Sequence, residues 1–505
     1  MGNFQRNLKN DNYTEQRFVE AFHADGTIET IEVPDEYFTR SSASKASVGT
    51  RSTSEEEFGF VCVQWDGSAF QKAEEPENSN NIVITIMGDG FTEIELGFLG
   101  FDEHGKLELD EYGRYPEGSF FDYAQETAKF ILNYHPFDLF AEHIDIYAIG
   151  VVSQVSGAPY YTYGEPNYIP ENYFGSYFYE DEHRSYLKLA DINKMDDLMD
   201  CYTPFADSGF VLVNSTDDGG VAYIGQTCDK YSYASSSVSI DFCDTIIHEL
   251  GHSIGKLADE YVLGAVLWEE AVNVTRNNDI NTVKWKSWIG FADYYYDDSV
   301  KIRREIGLVL KEDGWYRPTD GLCKMNNIKR DFCKVCASEF TRKLAQITGE
   351  EFHGGDSNIT SLEMLDSSSR ILDYAFFGCE NLISISIPNS VTSIGKYAFA
   401  NSNNLTDITI SARMSSIDEY AFAHCNSLTN ITIPADSNIT SIAINAFPSC
   451  PNLTSVISYM TNPPKINIED SINAYLCVPI GSIDFYEDKN CGIQNFHFSK
   501  TLGNL

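Results

Sequence analysis

The chain has 505 residues, of which 43% are hydrophobic and 22% charged, and its formal net charge at pH 7 is −40. This composition is typical of folded globular protein and excludes collagen-like and intrinsically disordered chains, while the length predicts two or three domains. The excess of acidic residues is spread along the chain, which makes nucleic acid and anionic membranes poor partners.

The first 80 residues predict an N-terminal region that contains linker sequence. The runs at 41–47 and 51–57 are rich in serine and glutamate and low in complexity. Between them and the ordered sequence that follows, Phe60–Trp65 predicts a single strand.

Alternating strands and helices are predicted from Asn81 onward. Ile82–Met87 is a continuous apolar run, which indicates a strand buried on both faces. Phe120–Tyr134 has helical spacing, and Ile144–Ile149 and Phe210–Asn214 predict two more strands. This order favours a twisted α/β sheet.

The segment His248-Glu249-Leu250-Gly251-His252 carries the chemistry. Residues four apart share one face of a helix, so His248 and His252 can bind one Zn²⁺ ion through their imidazole nitrogens. Glu249 lies beside them, where a carboxylate can take a proton from water that the metal activates.

The same segment resembles the igalysins, the IgA-peptidase-like family of metzincin zinc metalloproteases. The resemblance continues through Leu257–Tyr261 and extends upstream to Met87–Thr92, which is similar to the family's Gly-Asp-Gly-(Tyr/Phe)-Thr strand end. It covers roughly 81–349, including similar short segments at 156–157 and 213–215. It implies a zincin-like, metzincin-like α/β (α+β) catalytic domain, a zinc cofactor and a protein substrate.

The third zinc ligand is expected in the acidic residues after the helix. Metzincins place it six residues beyond the second histidine, where this chain has Ala258, which has no ligand atom. The igalysin pattern implies Asp259, with Glu260 as the alternative. Because seven residues of unbroken helix span about 10 Å, the chain must turn near Gly255 for Asp259 to reach the metal. A role for either acid in orienting a histidine ligand is the other reading.

Two further residues follow from the resemblance. Metzincins have a methionine turn beneath the zinc, and Met325 is the only methionine between Met199 and Met364. It precedes Phe332–Leu344, which has helical spacing. Tyr261 is assigned as a candidate catalytic residue that hydrogen-bonds a developing oxyanion, with simple packing beside the site as the alternative.

Twelve cysteines are too sparse for a disulfide framework. Cys333 and Cys336 form a CxxC, but no second pair completes a four-ligand zinc site. A disulfide from Cys323 to either of them and simple buried thiols both stay open.

The last third of the chain repeats. Four copies of an Ile-x-x-x-Ala-Phe element place Phe376, Phe399, Phe422 and Phe447 at intervals of 23, 23 and 25 residues. This period, with Leu and Ile at fixed offsets, predicts a short leucine-rich-repeat solenoid. The polar run at 354–358 predicts a domain boundary. Repeat stacks contact mainly their own neighbours, so we expect independent folding, the alternative being a stack that buttresses the catalytic domain near Phe340.

The predicted domains are an N-terminal region (1–80), a zinc peptidase domain (81–353), leucine-rich repeats (354–465) and a C-terminal cap (466–505). No run of about 18 apolar residues predicts a transmembrane helix. The first residues lack the apolar core of a signal peptide, so the protein is either cytosolic or has had its export signal removed. Repeats of this kind are common in bacterial surface proteins, so we expect a secreted or cell-surface protein whose export signal has been removed.

The predicted function is hydrolysis of peptide bonds in a protein or glycoprotein substrate, with zinc as cofactor and Glu249 as general base. The rival is a surface adhesion protein that binds through its repeats and whose zinc domain is inactive. Glu249 argues against the rival, because a purely structural metal site needs no base. A zinc hydrolase that acts on a non-peptide amide is a further alternative.

Overall fold

A computed structural model gives the fold of the chain. It describes residues 18–22, 28–32, 60–74, 76, 80–162, 172–180, 185–191, 193–217, 219–223, 232–258, 271, 273–297, 300–310, 315–443, 445–460, 465–466, 472–479 and 496–502. The low-complexity runs at 41–47 and 51–57 lie outside these residues.

The half of the described chain that precedes the repeats is built on a nine-stranded mixed sheet. Its strands lie in the order β2-β1-β11-β12-β10-β5-β6-β3-β4. They are β1 (Phe18–Phe22), β2 (Ile28–Glu32), β3 (Phe60–Trp65), β4 (Phe70–Lys72), β5 (Ile82–Asp89), β6 (Ile144–Val151), β10 (Ser208–Val213), β11 (Gly220–Tyr223) and β12 (Ser232–Ser237). The strands predicted at 60–65, 82–87, 144–149 and 210–214 are confirmed.

The centre of the sheet is parallel and its flanks are antiparallel. Strands β12, β10, β5 and β6 run parallel, and β11 and β3 pair antiparallel to β12 and β6. The hairpin β1–β2 joins at β11. Part of the predicted N-terminal region therefore belongs to the main sheet.

Helices cover the sheet on both sides. Successive side chains of β5 point to opposite faces, and because apolar residues lie on each of them, both faces must be buried. Ile82, Ile84 and Ile86 face the core of the helices that carry the candidate site. Val83 and Met87 face a second core. The helices are α1 (Glu93–Leu96), α2 (Phe120–Asn133), α3 (Asn193–Tyr202), α4 (Phe242–Ser253) and α5 (Lys334–Thr348), with 3₁₀ turns at Phe137–His143 and Lys286–Trp288.

Three small sheets complete this half. They are β7 (Tyr160–Thr162), β8 (Ser176–Glu180) and β9 (Ser185–Leu189), the pair β13 (Ala292–Asp297) and β14 (Val300–Glu305), and the pair β15 (Val309–Leu310) and β16 (Tyr316–Arg317). Within the described residues, no helix is long and apolar enough to cross a membrane.

The repeats stack with their short strands in parallel register. One row contains β20 (Asp407–Thr409), β22 (Asn430–Ile433), β24 (Ser455–Ser458), β26 (Ile472–Pro479) and β27 (Phe496–Leu502). A second contains β19 (Ser393–Ile394), β21 (Ser416–Ile417), β23 (Ser441–Ile442) and β25 (Lys465–Ile466), and β17 (Ser361–Glu363) pairs with β18 (Ser384–Ser386). The Phe anchors stack on one another, with ring centroids 5.1 to 5.4 Å apart.

The repeats pack against the preceding half through several segments, which include the loop around Trp288, the turn around Phe140 and the start of α5 at Lys334. The Trp288 ring, which is 5% exposed, stacks on Phe377 with centroids 3.5 Å apart. Around it, Ser287 accepts a hydrogen bond from Asn401 through its carbonyl, and Lys286 pairs with Glu380. These contacts favour the alternative to independent folding, and on α5, the helix of Phe340, Lys334 lies over the Tyr397 ring.

Candidate metal centre

Helix α4 carries the two histidines, and its apolar residues hold it in the core. Ile246, Ile247 and Leu250 are buried there, and every residue from Thr245 to Ser253 is buried. The helix packs against β11 and β12. Residues 248 and 252 therefore lie one turn apart on the same face.

The two imidazoles have defined orientations. The His248 Nδ1 atom lies 2.9 Å from the Lys324 carbonyl oxygen, and the His252 Nδ1 atom lies 2.7 Å from the Leu257 carbonyl oxygen. A carbonyl only accepts hydrogen bonds, so each Nδ1 carries a proton and donates it. The two Nε2 atoms lie 3.1 Å apart.

This arrangement fits a shared zinc ion. With Zn–N bonds of about 2.0–2.1 Å and tetrahedral angles, two ligand nitrogens lie about 3.3 Å apart. The observed 3.1 Å is close to that separation. A carbonyl that accepts the Nδ1 proton is also the usual partner that fixes the tautomer of a metal-binding histidine.

Glu249 is fully buried beside the pair. Carboxylates are among the side chains least often buried in proteins. The structure therefore places a carboxylate and two histidines close together on one helix, and all three side chains are buried.

The helix ends where the sequence predicts a turn, but the residue that reverses the chain is Lys256, whose φ is 53°. Gly255 has another role, because a Cβ there would lie 2.6 Å from the Gly251 carbonyl oxygen. The Leu257 amide donates to that carbonyl at 3.1 Å. The reversal brings the Leu257 carbonyl back to His252.

The chain beyond the turn is fixed as far as Ala258. The buried Asn273 side chain accepts from the Ala258 amide at 2.8 Å and donates to its carbonyl at 2.6 Å. Asp259, Glu260 and Tyr261 lie outside the described residues. The third ligand and the tyrosine role stay predictions.

Met325 lies beneath the helix. A Cβ on Gly251 would lie 2.9 Å from the Met325 Sδ and 3.2 Å from the Phe332 ring, and Met325 is fully buried. Gly251 stands between the two histidines in sequence. The methionine and its loop therefore support the turn of helix that presents them.

Lys324 ties the same loop to α4. Its ammonium donates to the Asp244 carboxylate and to the Ile328 carbonyl, both at 2.5 Å, and its side chain is 1% exposed. Asp244 lies one turn before His248. The lysine side chain thus fixes the loop while its main-chain carbonyl orients the histidine.

The cysteines of this loop converge. The sulfur atoms of Cys323, Cys333 and Cys336 all lie within 4.8 Å of one another in the core. Burial raises the pKa of the Cys323 thiol to about 12. No disulfide joins these three residues, so of the two alternatives that the sequence leaves open the structure has buried thiols.

The segments at 87–92, 156–157 and 213–215 meet at the carboxyl ends of β5, β6 and β10. The Gly90 carbonyl accepts from the Gly157 amide at 2.8 Å and from the Asn214 side chain at 3.0 Å. The Asp89 carboxylate accepts from the Phe174 and Ser176 amides at 3.1 and 3.0 Å. Burial raises the pKa of Asp89, which these hydrogen bonds partly offset. The segments form a buried hydrogen-bond network.

Sequence reasoning missed three contributors to the site. The carbonyls of Lys324 and Leu257 have no signature in a sequence, because any residue supplies a carbonyl. Asn273 lies 15 residues from the residue it holds. The spacing of the cysteines is visible in the sequence, but it is compatible with both a disulfide and buried thiols.

Comparisons with known proteins identify two regions. Residues 71–306 match the model of the family described as IgA Peptidase M64, and residues 345–468 match six copies of the BspA type leucine rich repeat region. The first match starts ten residues before the predicted 81 and ends before the Met325 loop. No curated protein matches the sequence.

Three solved structures are similar to parts of the chain, and two of them are described as leucine-rich proteins. A leucine rich cell surface protein from Faecalibacterium prausnitzii A2-165 is 22% identical over 20% of this chain and 32% of its own, with a TM-score of 0.18. A leucine-rich repeat protein from Bacteroides ovatus is 20% identical over 28% and 43%, with a TM-score of 0.18. The pneumococcal vaccine antigen PcpA is 13% identical over 30% and 44%, with a TM-score of 0.19. The chain thus spans less than half the length of each.

Proposed function

Because the chain carries a domain of the IgA peptidase M64 family followed by BspA-type leucine-rich repeats, we propose that it is a zinc-dependent endopeptidase that cleaves a protein substrate. The observation that carries this proposal is the pair of imidazoles on α4. Their Nδ1 atoms face carbonyls, and their Nε2 atoms lie 3.1 Å apart. The expected catalytic domain is metzincin-like, with Met325 as its methionine turn.

His248 and His252 would hold the metal, and a bound zinc ion supplies Lewis-acid polarisation of the scissile carbonyl and a lower pKa for water. Glu249 is the general base in this proposal. Its carboxylate takes a proton from the attacking water and returns it to the leaving amine. Its burial excludes bulk water, which strengthens its electrostatic effect on the reacting groups.

Asp259 is proposed as the third ligand, with Glu260 as the alternative. The support is the main chain before it, because Lys256 reverses the chain and Asn273 fixes Ala258. The helical path that would place residue 259 about 10 Å away is therefore not followed. Tyr261 remains a candidate donor to the oxyanion.

The repeats are proposed to supply an additional binding face for a protein or glycoprotein substrate or for a surface. We propose a secreted or cell-surface location, because the chain has BspA type leucine rich repeats and such repeats are common in bacterial surface proteins. The scissile sequence is not fixed by family membership, because fold and site geometry are shared among proteins with different substrates.

The test is replacement of Glu249 by glutamine, which keeps the side-chain volume and removes the base. Zinc content measured by elemental analysis should stay near that of the wild type, while cleavage of casein falls by at least about 100-fold, the lower range for a lost general base. Glu126→Gln, an exposed change on α2, is the control.

Retained casein cleavage in Glu249→Gln contradicts the assignment of the base. Loss of zinc in that variant makes Glu249 a ligand instead. If the wild-type chain cleaves neither casein nor gelatin with zinc supplied, the rival function as a repeat-based adhesion protein is favoured. Degradation that a chelator stops and added zinc restores separates the two.

A further inference from the structure

A second group of potential ligands lies next to the candidate catalytic centre and has no role in the proposed hydrolysis. Cys323, Cys333 and Cys336 are each fully buried, and their three sulfur atoms lie within 4.8 Å of one another. Two of them are separated by nine intervening residues, so their convergence depends on the closure of the loop 323–333. The contacts that close this loop also define the environment of the sulfurs.

A buried arginine closes the loop. Arg304, on β14, is 2% exposed, and its guanidinium donates to the carbonyls of Leu322 at 2.6 Å, Asp331 at 2.8 Å and Phe332 at 2.9 Å. These carbonyls lie just before Cys323 and Cys333. The arginine therefore sets the distance between the two sides of the loop and places a fixed positive charge close to the sulfurs.

The start of α5 supplies a second feature. Cys333 is the N-cap of this 15-residue helix, and Cys336 is its third residue. The Cys333 amide donates to the Cys323 sulfur at 3.2 Å. Amide donors and the positive end of a helix dipole both stabilise thiolates over thiols.

We propose that Cys323, Cys333 and Cys336 form a second metal site that binds one thiophilic d¹⁰ cation, Zn²⁺ or Cu⁺, through three thiolate sulfurs. Metal–sulfur bonds of about 2.3 Å bring three sulfurs to about 4 Å from one another, which is within the observed spread. Binding replaces three S–H bonds by three metal–sulfur bonds and releases three protons, with no change in oxidation state. Soft thiolate ligands select these ions over Mg²⁺ or Ca²⁺.

The charges are consistent with this assignment. Three thiolates around a divalent ion carry a net charge of −1, and the guanidinium of Arg304 carries +1. A buried ionic group is tolerated when an opposite charge accompanies it. Among the described residues, the cluster consists of three sulfurs and contains no carboxylate. Its ligand chemistry therefore differs from that of the histidine site.

Occupancy of the cluster would act on the catalytic half through the loop. Lys324 and Met325 lie between the cysteines in sequence, and they provide the carbonyl that orients His248 and the sulfur beneath Gly251. A metal that ties Cys323 to the start of α5 would stabilise that segment. The site is inferred from the cysteines and does not depend on the hydrolytic function.

The test uses the full chain stripped of metal and titrated with Cd²⁺, a probe whose thiolate complexes absorb in the ultraviolet while its histidine and carboxylate complexes do not. The absorption should saturate at one Cd²⁺ per chain in the wild type and in His248→Ala. It should be lost in Cys336→Ser and kept in Cys425→Ser, a change of another buried cysteine. Elemental analysis of the chain as isolated should show one equivalent of zinc or copper that Cys336→Ser lacks.

The wild type alone can overturn the proposal, whether or not Cys336→Ser folds. Absence of thiolate absorption at one equivalent of Cd²⁺ would do so. A native mass two units lower, with peptide mapping that links Cys323 to Cys333 or Cys336, would show a disulfide in place of a metal. The Cd²⁺ titration gives the same result whether or not Glu249→Gln keeps its activity, so the two proposals fail separately.

Discussion

Replacing Gly251 with alanine tests whether the helix that presents both histidines rests on the Met325 loop. The added Cβ would lie 2.9 Å from the Met325 sulfur and 3.2 Å from the Phe332 ring, both of which are buried. Overpacking of this kind costs about 1–3 kcal/mol. The higher helix propensity of alanine relative to glycine offsets about 1 kcal/mol of this cost. The expected net loss in the free energy of unfolding is therefore about 1 kcal/mol.

The larger effect is expected on metal binding. Met325 is fully buried, so the added Cβ should press on the loop that also carries Lys324, whose carbonyl orients His248. Loss of such an orienting contact typically weakens metal affinity 10–100-fold, so zinc affinity measured by chelator competition should fall by about that factor. The control is Gly307→Ala, because a Cβ at 307 meets no atom within 4 Å.

A double-mutant cycle with Met325→Ala isolates the contact. The Met325 change alone should cost about 2–5 kcal/mol in urea unfolding. In the double variant the new Cβ occupies part of the vacated space, so the combined loss should be smaller than the sum by at least about 0.5 kcal/mol. Additive losses, or unchanged zinc affinity in Gly251→Ala, would refute the idea that the two segments press on each other.

Three further predictions concern the third ligand, the interface and pH. Asp259→Ala should remove zinc binding, whereas Glu260→Ala should weaken it at most 10–100-fold; the reverse order in chelator competition would make Glu260 the ligand. Trp288→Ala, which removes the ring stacked on Phe377, should cost about 3–5 kcal/mol and split the calorimetric transition into two; two transitions already in the wild type would show that the repeats fold independently, and a single unshifted transition in the variant would show that this ring does not couple the two halves. Burial lowers the pKa of Lys188 from 10.5 to about 8. Between those values the unfolded chain binds more protons than the folded one, so the free energy of unfolding should rise with pH by up to about 1.4 kcal/mol per unit, and not below about pH 8. Lys188→Met should lack this rise in denaturant titrations, and an equal slope in both chains would assign it to other groups.

The sequence alone determined the local parts of the site. Hydrophobic spacing identified the strand at 82–87 and the helix at 120–134, because the burial of one or both faces of an element sets its periodicity. Two histidines four apart had to share a helix face, and the 23-residue period had to produce a stack of like units. Met325 was predicted from family resemblance and its place in the chain, and it lies beneath the helix.

Only the tertiary structure decided what surrounds those parts. The carbonyls that fix the tautomers of His248 and His252 come from a loop 76 residues away and from the turn after α4, where Lys256 and not the predicted Gly255 has the positive φ. The three cysteine sulfurs converge because Arg304, on a strand, holds both sides of their loop. Such partners are main-chain atoms or residues distant in sequence, so neither residue type nor periodicity records them. The spacing of side chains along the chain specifies which face of an element a residue occupies. The contacts that the residue makes on that face depend on how distant segments pack together, and the spacing does not record this.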